Sequence, residues 1–426
     1  MSFAILSLTV LSMLRMVTSV ALQTNCPGGI AAAWYAPDML PLSLVSWDKY
    51  NTLIYSFAIT TPSVNNITLS GSDPSLPQFV SEAHKNNVSA HIAIGGWGGS
   101  MFFSSNVATP ENRTAFAQTV INFAEVYGLD GINFDWEYPN KQGIGCNIIN
   151  ANDTQNFLYF LQELRKDPVG ARITLSAAVS ITPFTNASGQ PSTDVSGFAE
   201  VLDYIAIMNY DIWGKWDSTI GVGPNAPLND TCAVPANQQG SAVSAVDAWT
   251  AAGIPANQIV LGVASYGHSF SVAPHDAFVD DCKTELTAYP KFNASNQPPG
   301  DSQGSTPGLD VCGVLEGPGG TYTFKSLVED GFLTTEGDPV EGISYRFDTC
   351  SQTPYVYNET SEVMISFDDV HSFAAKGSYI KETGLRGFAM WQLVDDSNNL
   401  LVDSIRNAVG YVARNAHKRN WMSTHW

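Results

Sequence analysis

The chain has 426 residues, 44% of them hydrophobic and only 14% charged. That composition excludes a disordered chain, which needs low hydrophobicity and dense charge. Forty acids against twenty bases give a net charge of −20, which argues against a nucleic-acid partner, because phosphate binding needs a basic surface.

Residues 1–21 read as a secretory signal. An apolar run at 3–14 precedes Ser19-Val20-Ala21, the small-residue pattern of a cleavage site. The run is shorter than the ~20 residues that span a bilayer, so no membrane association is expected after cleavage. Secretion also fits eight N-x-S/T sequons, at Asn66, Asn87, Asn112, Asn152, Asn186, Asn229, Asn293 and Asn358. Six cysteines (Cys26, Cys146, Cys232, Cys282, Cys312 and Cys350) include no C-x-x-C pair, which disfavours zinc and thioredoxin-like sites. An even number in a secreted chain predicts disulfides. The expected pairs are Cys146 with Cys232, and at least one among the three cysteines after residue 280.

Short apolar or β-branched runs follow along the chain. They predict strands at 30–35, 53–58, 89–95, 131–137, 173–180, 204–210, 259–266 and 387–391. Nearly continuous apolar runs suit parallel strands covered on both faces. A helix is expected after the third strand. Thr109 would cap it, Pro110 would open it, Phe116, Val120, Phe123 and Ala124 would form its apolar stripe, and Gly128 would stop it. Further helices are expected at 153–165 and 242–252. Eight βα units predict an α/β fold, a (β/α)8 TIM barrel. The rival, a doubly wound sheet, lacks support because no G-x-G-x-x-G follows a first strand. About 120 residues separate the last two strands, far more than one helix and its loops need. Residues 269–365 are therefore read as an inserted α+β subdomain, between strand 7 and helix 7. The barrel would comprise 22–268 and 366–426.

The segment Leu129-Asp130-Gly131-Ile132-Asn133-Phe134-Asp135-Trp136-Glu137-Tyr138 carries the chemistry. In a strand, Asn133, Asp135 and Glu137 share one face and Ile132, Phe134 and Trp136 the other. Polar side chains inside a barrel are best tolerated at its C-terminal mouth, where catalytic groups sit. Asp130 is off this parity and would support the start of the strand. Asp135 and Glu137 would be roughly 6–7 Å apart at Cβ. Carboxyls that close disfavour joint ionisation, so one stays protonated beside an anion, the arrangement that cleaves glycosidic bonds.

With these residues the chain resembles the chitinases of glycoside hydrolase family 18, most of all the fungal members. Residues 130–137 match the family pattern D-G-x-D-x-D-x-E at every fixed position but one. Ala93-Ile94-Gly95-Gly96-Trp97 resembles S-x-G-G, and Met208-Asn209-Tyr210-Asp211 resembles M-x-Y-D on the sixth strand. Ser265-Tyr266-Gly267-His268 resembles the Y-G-R end of the seventh strand. Gly387-Phe388-Ala389-Met390-Trp391 resembles the eighth. The resemblance implies retaining, substrate-assisted hydrolysis of chitin and chito-oligosaccharides. Glu137 would be the acid, and Asp135 would orient the substrate acetamide and stabilise an oxazolinium ion. Tyr210 would hydrogen-bond the acetamido carbonyl. Trp391, Trp97, Tyr138 and Phe57 would supply aromatic surface. Asp211, Met208 and Tyr266 would complete the substrate-binding set, with Asp130, Asn133, Gly95 and Gly96 in support. It implies no metal, no cofactor and a secreted monomer.

The chain departs from the family at three places: Asn133 stands for Asp, Ala93 for Ser and His268 for Arg. The first two would be neighbours on adjacent strands, so the changes would be coupled. Two other activities share this fold. A non-catalytic sugar-binding lectin would usually lack the terminal Glu, which is present as Glu137. An endo-β-N-acetylglucosaminidase acting on N-glycans would share the Glu, but the large insertion suits a deeper chitin cleft.

Overall fold

The computed structural model describes residues 29–70, 75–217, 219–301 and 307–411; the expected signal at 1–21, Cys26 and the tail from 412 lie outside them. Eight parallel strands occur where the apolar runs placed them. They are β1 (Ile30–Tyr35), β2 (Thr52–Thr60), β3 (Ser89–Gly95), β4 (Gly131–Asp135), β5 (Thr174–Val179), β6 (Tyr204–Ile207), β7 (Ile259–Ala264) and β8 (Gly387–Trp391). Each pairs with its neighbour in chain order, and β8 pairs with β1 to close the cylinder. Strands β4 and β6 end earlier than expected, at Asp135 and Ile207. Farther on, two backbone amides turn to side-chain partners: Glu137 N donates to Ser100 Oγ at 3.1 Å and Asp211 N to Asn225 Oδ1 at 3.0 Å.

Small side chains line the barrel interior. Ala32, Ala93, Ala178, Ala206 and Ala389 share it with Trp34, Ile54, Tyr204 and Val260. Barrels of this kind are usually filled by branched residues; alanines here leave room for a cavity at the mouth. The outward parity of β4 packs as its alternation dictates: Ile132, Phe134 and Trp136 join the core between strands and helices. Trp136 stacks on Phe103 at 5.0 Å.

The helix after β3 spans Pro110–Tyr127. Thr109 Oγ1 accepts from Asn112 N, and Gly128 ends the helix in the left-handed region at φ 65°. Phe116, Val120 and Ala124 are buried, while Phe123 is half-buried against the core. Asp153–Lys166 and Ala242–Ala251 are also helical. Among the described residues no helix is long and apolar enough to cross a membrane.

The insertion forms a five-stranded antiparallel sheet between β7 and the helix Val370–Thr383. It begins at Tyr266–Ser271, directly after β7, and its last strand in the chain is Val363–Ser366. Phe270, Phe278, Tyr355, Tyr357 and Met364 contribute to a separate core beneath it. The disulfides differ from expectation. Cys146 pairs with Cys312 and Cys232 with Cys350, while Cys282 is exposed and forms no disulfide among the described residues. Each bond joins a barrel loop to the insertion across 166 or 118 residues of sequence. Closing loops that long restricts the unfolded chain by on the order of 4–5 kcal/mol per bond. Sequence spacing gave no sign of this, because the pairing depends on how the insertion folds back over the barrel mouth.

Candidate active site

Asp135 ends β4 at the mouth, and Glu137 follows on the loop. Both are buried. Asp135 Oδ1 has no hydrogen-bond partner among the described residues. Burial pushes the Asp135 carboxyl up to about 7. Burial, then the charges of Asp135 and Asp211, raise Glu137 well above the ordinary carboxylate range, against the opposing effect of a hydrogen bond from Tyr138. These effects favour the protonated form of Glu137, the form in which a carboxyl can donate a proton.

The loop after β3 positions this pair through backbone contacts. Gly96 N donates to Asp135 O at 2.8 Å. Ser100 Oγ lies 2.9 Å from the Asp135 carbonyl and accepts from Glu137 N. Asn147 Nδ2 donates to Glu137 O at 2.7 Å. Gly95 adopts φ 111°, and a Cβ there would stand 2.2 Å from Asp135 O. Gly96, at φ 79°, would likewise press a Cβ against the Phe57 ring at 2.9 Å. Ser100 and Asn147 carry no motif and were not among the expected site residues.

Below Asp135, Asn133 is fully buried. Its Nδ2 donates to Ser176 Oγ at 2.9 Å, and its Oδ1 has no partner among the described residues. Asn133 is in register with Ala93 on β3 and Ser176 on β5. The two departures from the family pattern, Asn133 and Ala93, are therefore direct cross-strand neighbours. Asp130 stands at the other end of β4, where its Oδ2 accepts from Ala90 N at 2.8 Å and meets His84 Nε2 at 2.7 Å. It braces the barrel floor and takes no part in the mouth.

From the segment that follows β6, Met208 and Tyr210 reach the cavity. Burial, then Asp135 and Asp211, raise the Tyr210 hydroxyl well above its ordinary value, so it remains a hydrogen-bond donor. Asp211 sits at φ 55° and is fixed from the β7 side: His268 Nε2 lies 2.7 Å from its Oδ1, and the Tyr266 hydroxyl also bonds to it. His268 thus occupies the Arg position of the family motif as a partner of Asp211. Tyr266 is buried behind Tyr210, with ring centroids 6.1 Å apart, and does not line the cavity.

The cavity over Asp135 and Glu137 has a volume of about 690 Å³, within the usual range for ligand sites. Trp391 floors it, packed edge-on to Trp34 at 6.0 Å and tilted on Phe57 at 5.7 Å. Trp97, Tyr138 and Lys141 also line it, with Lys141 Nζ 5.3 Å from the Tyr138 ring centre. Val311 enters the wall from the insertion. Nothing in its sequence context pointed there, since only the folded insertion brings it over. Among the described residues no group of three or more His, Cys, Asp or Glu is placed to hold a metal ion.

Comparison with known proteins identifies the family. The family model described as glycosyl hydrolases family 18 matches residues 31–396. A "chitinase-like effector" of Moniliophthora roreri is 50% identical, over 94% of this chain and 98% of that protein. "Chitinase A1" of Niallia circulans is 31% identical, over 75% of this chain and 42% of that protein. A crystal structure of a chitinase from Rhizomucor miehei superposes with a TM-score of 0.81 at 32% identity, covering 89% of this chain and all of that one. A family match across the whole barrel, on top of paired buried carboxylates at its mouth, establishes that the chain belongs to glycosyl hydrolase family 18.

Proposed function

We propose that the protein hydrolyses β-1,4 bonds between N-acetylglucosamine residues of chitin and chito-oligosaccharides, with retention and with help from the substrate. The observation that carries this reading is the buried pair Asp135 and Glu137 under an aromatic cavity, with burial favouring the protonated form of Glu137. Glu137 gives its proton to the glycosidic oxygen as the bond to C1 breaks. The acetamido oxygen of the same sugar attacks C1 and forms an oxazolinium ion, an intramolecular step favoured by proximity. Asp135, anionic at this stage, stabilises the positive ring and orients the acetamide, and Tyr210 donates to its carbonyl. Water then opens the ring, with Glu137 taking its proton, so that acid and base return to their starting states. This is an exception to the two-carboxylate scheme of most glycosidases.

A second reading is binding of chito-oligosaccharides without turnover. It is favoured by the name "chitinase-like effector" carried by relatives 50% identical to this chain. Digestion of N-acetylglucosamine oligomers decides between the two. Turnover by the wild type, with a fall of at least about 10³ in Glu137→Gln, supports hydrolysis. Binding without products supports the second reading, and full activity of Glu137→Gln removes Glu137 from the mechanism. We also propose secretion as a monomer. Two disulfides suit an oxidising compartment, and none of the eight sequon asparagines is buried.

A further inference from the structure

Among the described residues that line the cavity, Asp135, Glu137 and Asp211 carry carboxyls and Lys141 alone is basic. Lys141 closes a tight turn after β4. Tyr138 N donates to Lys141 O at 3.3 Å, and Lys141 N to Tyr138 O at 3.2 Å. Asn140, at φ 52°, is tied down twice: its N donates to Asp153 Oδ2 at 3.2 Å and its Nδ2 to Asn186 O at 2.6 Å. Asp153 is fully buried, so the turn is anchored in the body of the barrel.

This turn leaves the Lys141 side chain over the Tyr138 ring, with Nζ 5.3 Å from its centre. The Tyr138 side chain in turn hydrogen-bonds to Glu137. The charge is therefore set one aromatic ring away from the proton donor. No carboxylate among the described residues lies within ion-pair distance of Nζ. The acids of the cavity do not offset it either. Burial favours the neutral forms of Asp135 and Glu137, and Asp211 is bonded to His268. An uncharged chitin chain has no need of a cation there. A chain that has lost acetyl groups is different, because each glucosamine carries an ammonium. The net charge of −20 would draw such a polycation to the protein, so discrimination has to come from the cleft itself.

We propose that Lys141 makes the enzyme select against deacetylated chains, by repelling an ammonium on the sugar across the scissile bond from the attacking acetamide. The attacking sugar must keep its acetamide in any case, so selection by charge falls on its neighbour. This rests on the hydrolytic reading of the site given above. Two unit charges at roughly 6 Å repel by an amount worth about threefold in bulk water and about 100-fold at an effective dielectric near 20. Lys141 is exposed, so an effect near the lower end, about fivefold, is expected. The test is digestion of half-acetylated chitosan, and of the fully acetylated tetramer, by the full chain at about pH 5.5, with product ends sequenced by mass spectrometry. Wild type should leave N-acetylglucosamine at new non-reducing ends about fivefold more often than glucosamine. Lys141→Gln should bring the two to within about twofold, Lys141→Arg should keep the preference, and about 0.5 M salt should weaken it in wild type. Ends that match the polymer composition in wild type, or a preference that survives Lys141→Gln, overturn the proposal while hydrolysis of the tetramer stands. No product from the tetramer overturns the hydrolytic reading and the proposal with it.

Discussion

Replacing Asp135 by Asn keeps the shape of the side chain and removes its titration. The Asp135 carboxyl is raised by burial from an ordinary 3.8 to about 7. A carboxylate whose pKa is raised on folding stabilises least where it must be ionised. The penalty is absent below the unfolded value near 4 and complete above about 7. A shift of roughly 3 units corresponds to at most about 4 kcal/mol between those limits, since one unit is ~1.4 kcal/mol. Part of the penalty on Glu137 also comes from Asp135 and is relieved with it. Thermal unfolding of wild type and Asp135→Asn, compared at pH 4.5 and again at pH 8, isolates the effect. For a chain of this size 4 kcal/mol amounts to about 4–5 °C. The variant should therefore melt close to wild type at pH 4.5 and a few degrees higher at pH 8. An equal difference at both pH values would show that Asp135 does not carry a raised pKa, and the electrostatic argument for the site would fail.

Two further outcomes test the surroundings of this carboxylate. Asn133→Asp places a second acid two residues below Asp135; at roughly 6–7 Å and an effective dielectric of about 20, the like charge raises Asp135 by at most ~2 units. The acid limb of the pH–rate profile should then move to higher pH, and superimposable profiles would refute the coupling. Gly95→Ala should cost about 2–4 kcal/mol and most of the activity, because its Cβ would stand 2.2 Å from Asp135 O at a φ of 111°. Gly128→Ala is the control: it also lies at positive φ but meets nothing within 4 Å, so it should cost only about 1–2 kcal/mol. Melting temperatures of the two variants give the comparison.

The chain order of the barrel was legible because each strand is a short apolar run and each helix has its own stop signals. Parity along β4 was equally legible. Ile132, Phe134 and Trp136 face the helices, while Asn133 and Asp135 face inward, as an alternation of period two requires. The pairing of Ala93 with Asn133, which the family resemblance implied, is present in the register of β3 and β4. Strand ends were less legible. Glu137 and Tyr210 lie beyond their strands because Ser100 and Asn225, distant in sequence, take the backbone amides of Glu137 and of Asp211, the residue after Tyr210.

The sequence by itself determined the architecture and the family, because these depend on local periodicity and on short motifs clustered within single strands. Tertiary structure alone decided the partners. His268 meets Asp211 because the sheet that begins at Tyr266 carries it back over the mouth. Tyr266 falls behind Tyr210 and not into the cavity. Cys146 finds Cys312, and Cys232 finds Cys350, because the insertion folds over loops that precede it by more than a hundred residues. Such contacts join segments with no shared period or motif, so no pattern along the chain encodes them; only the closed barrel brings the ends of distant strands to one rim.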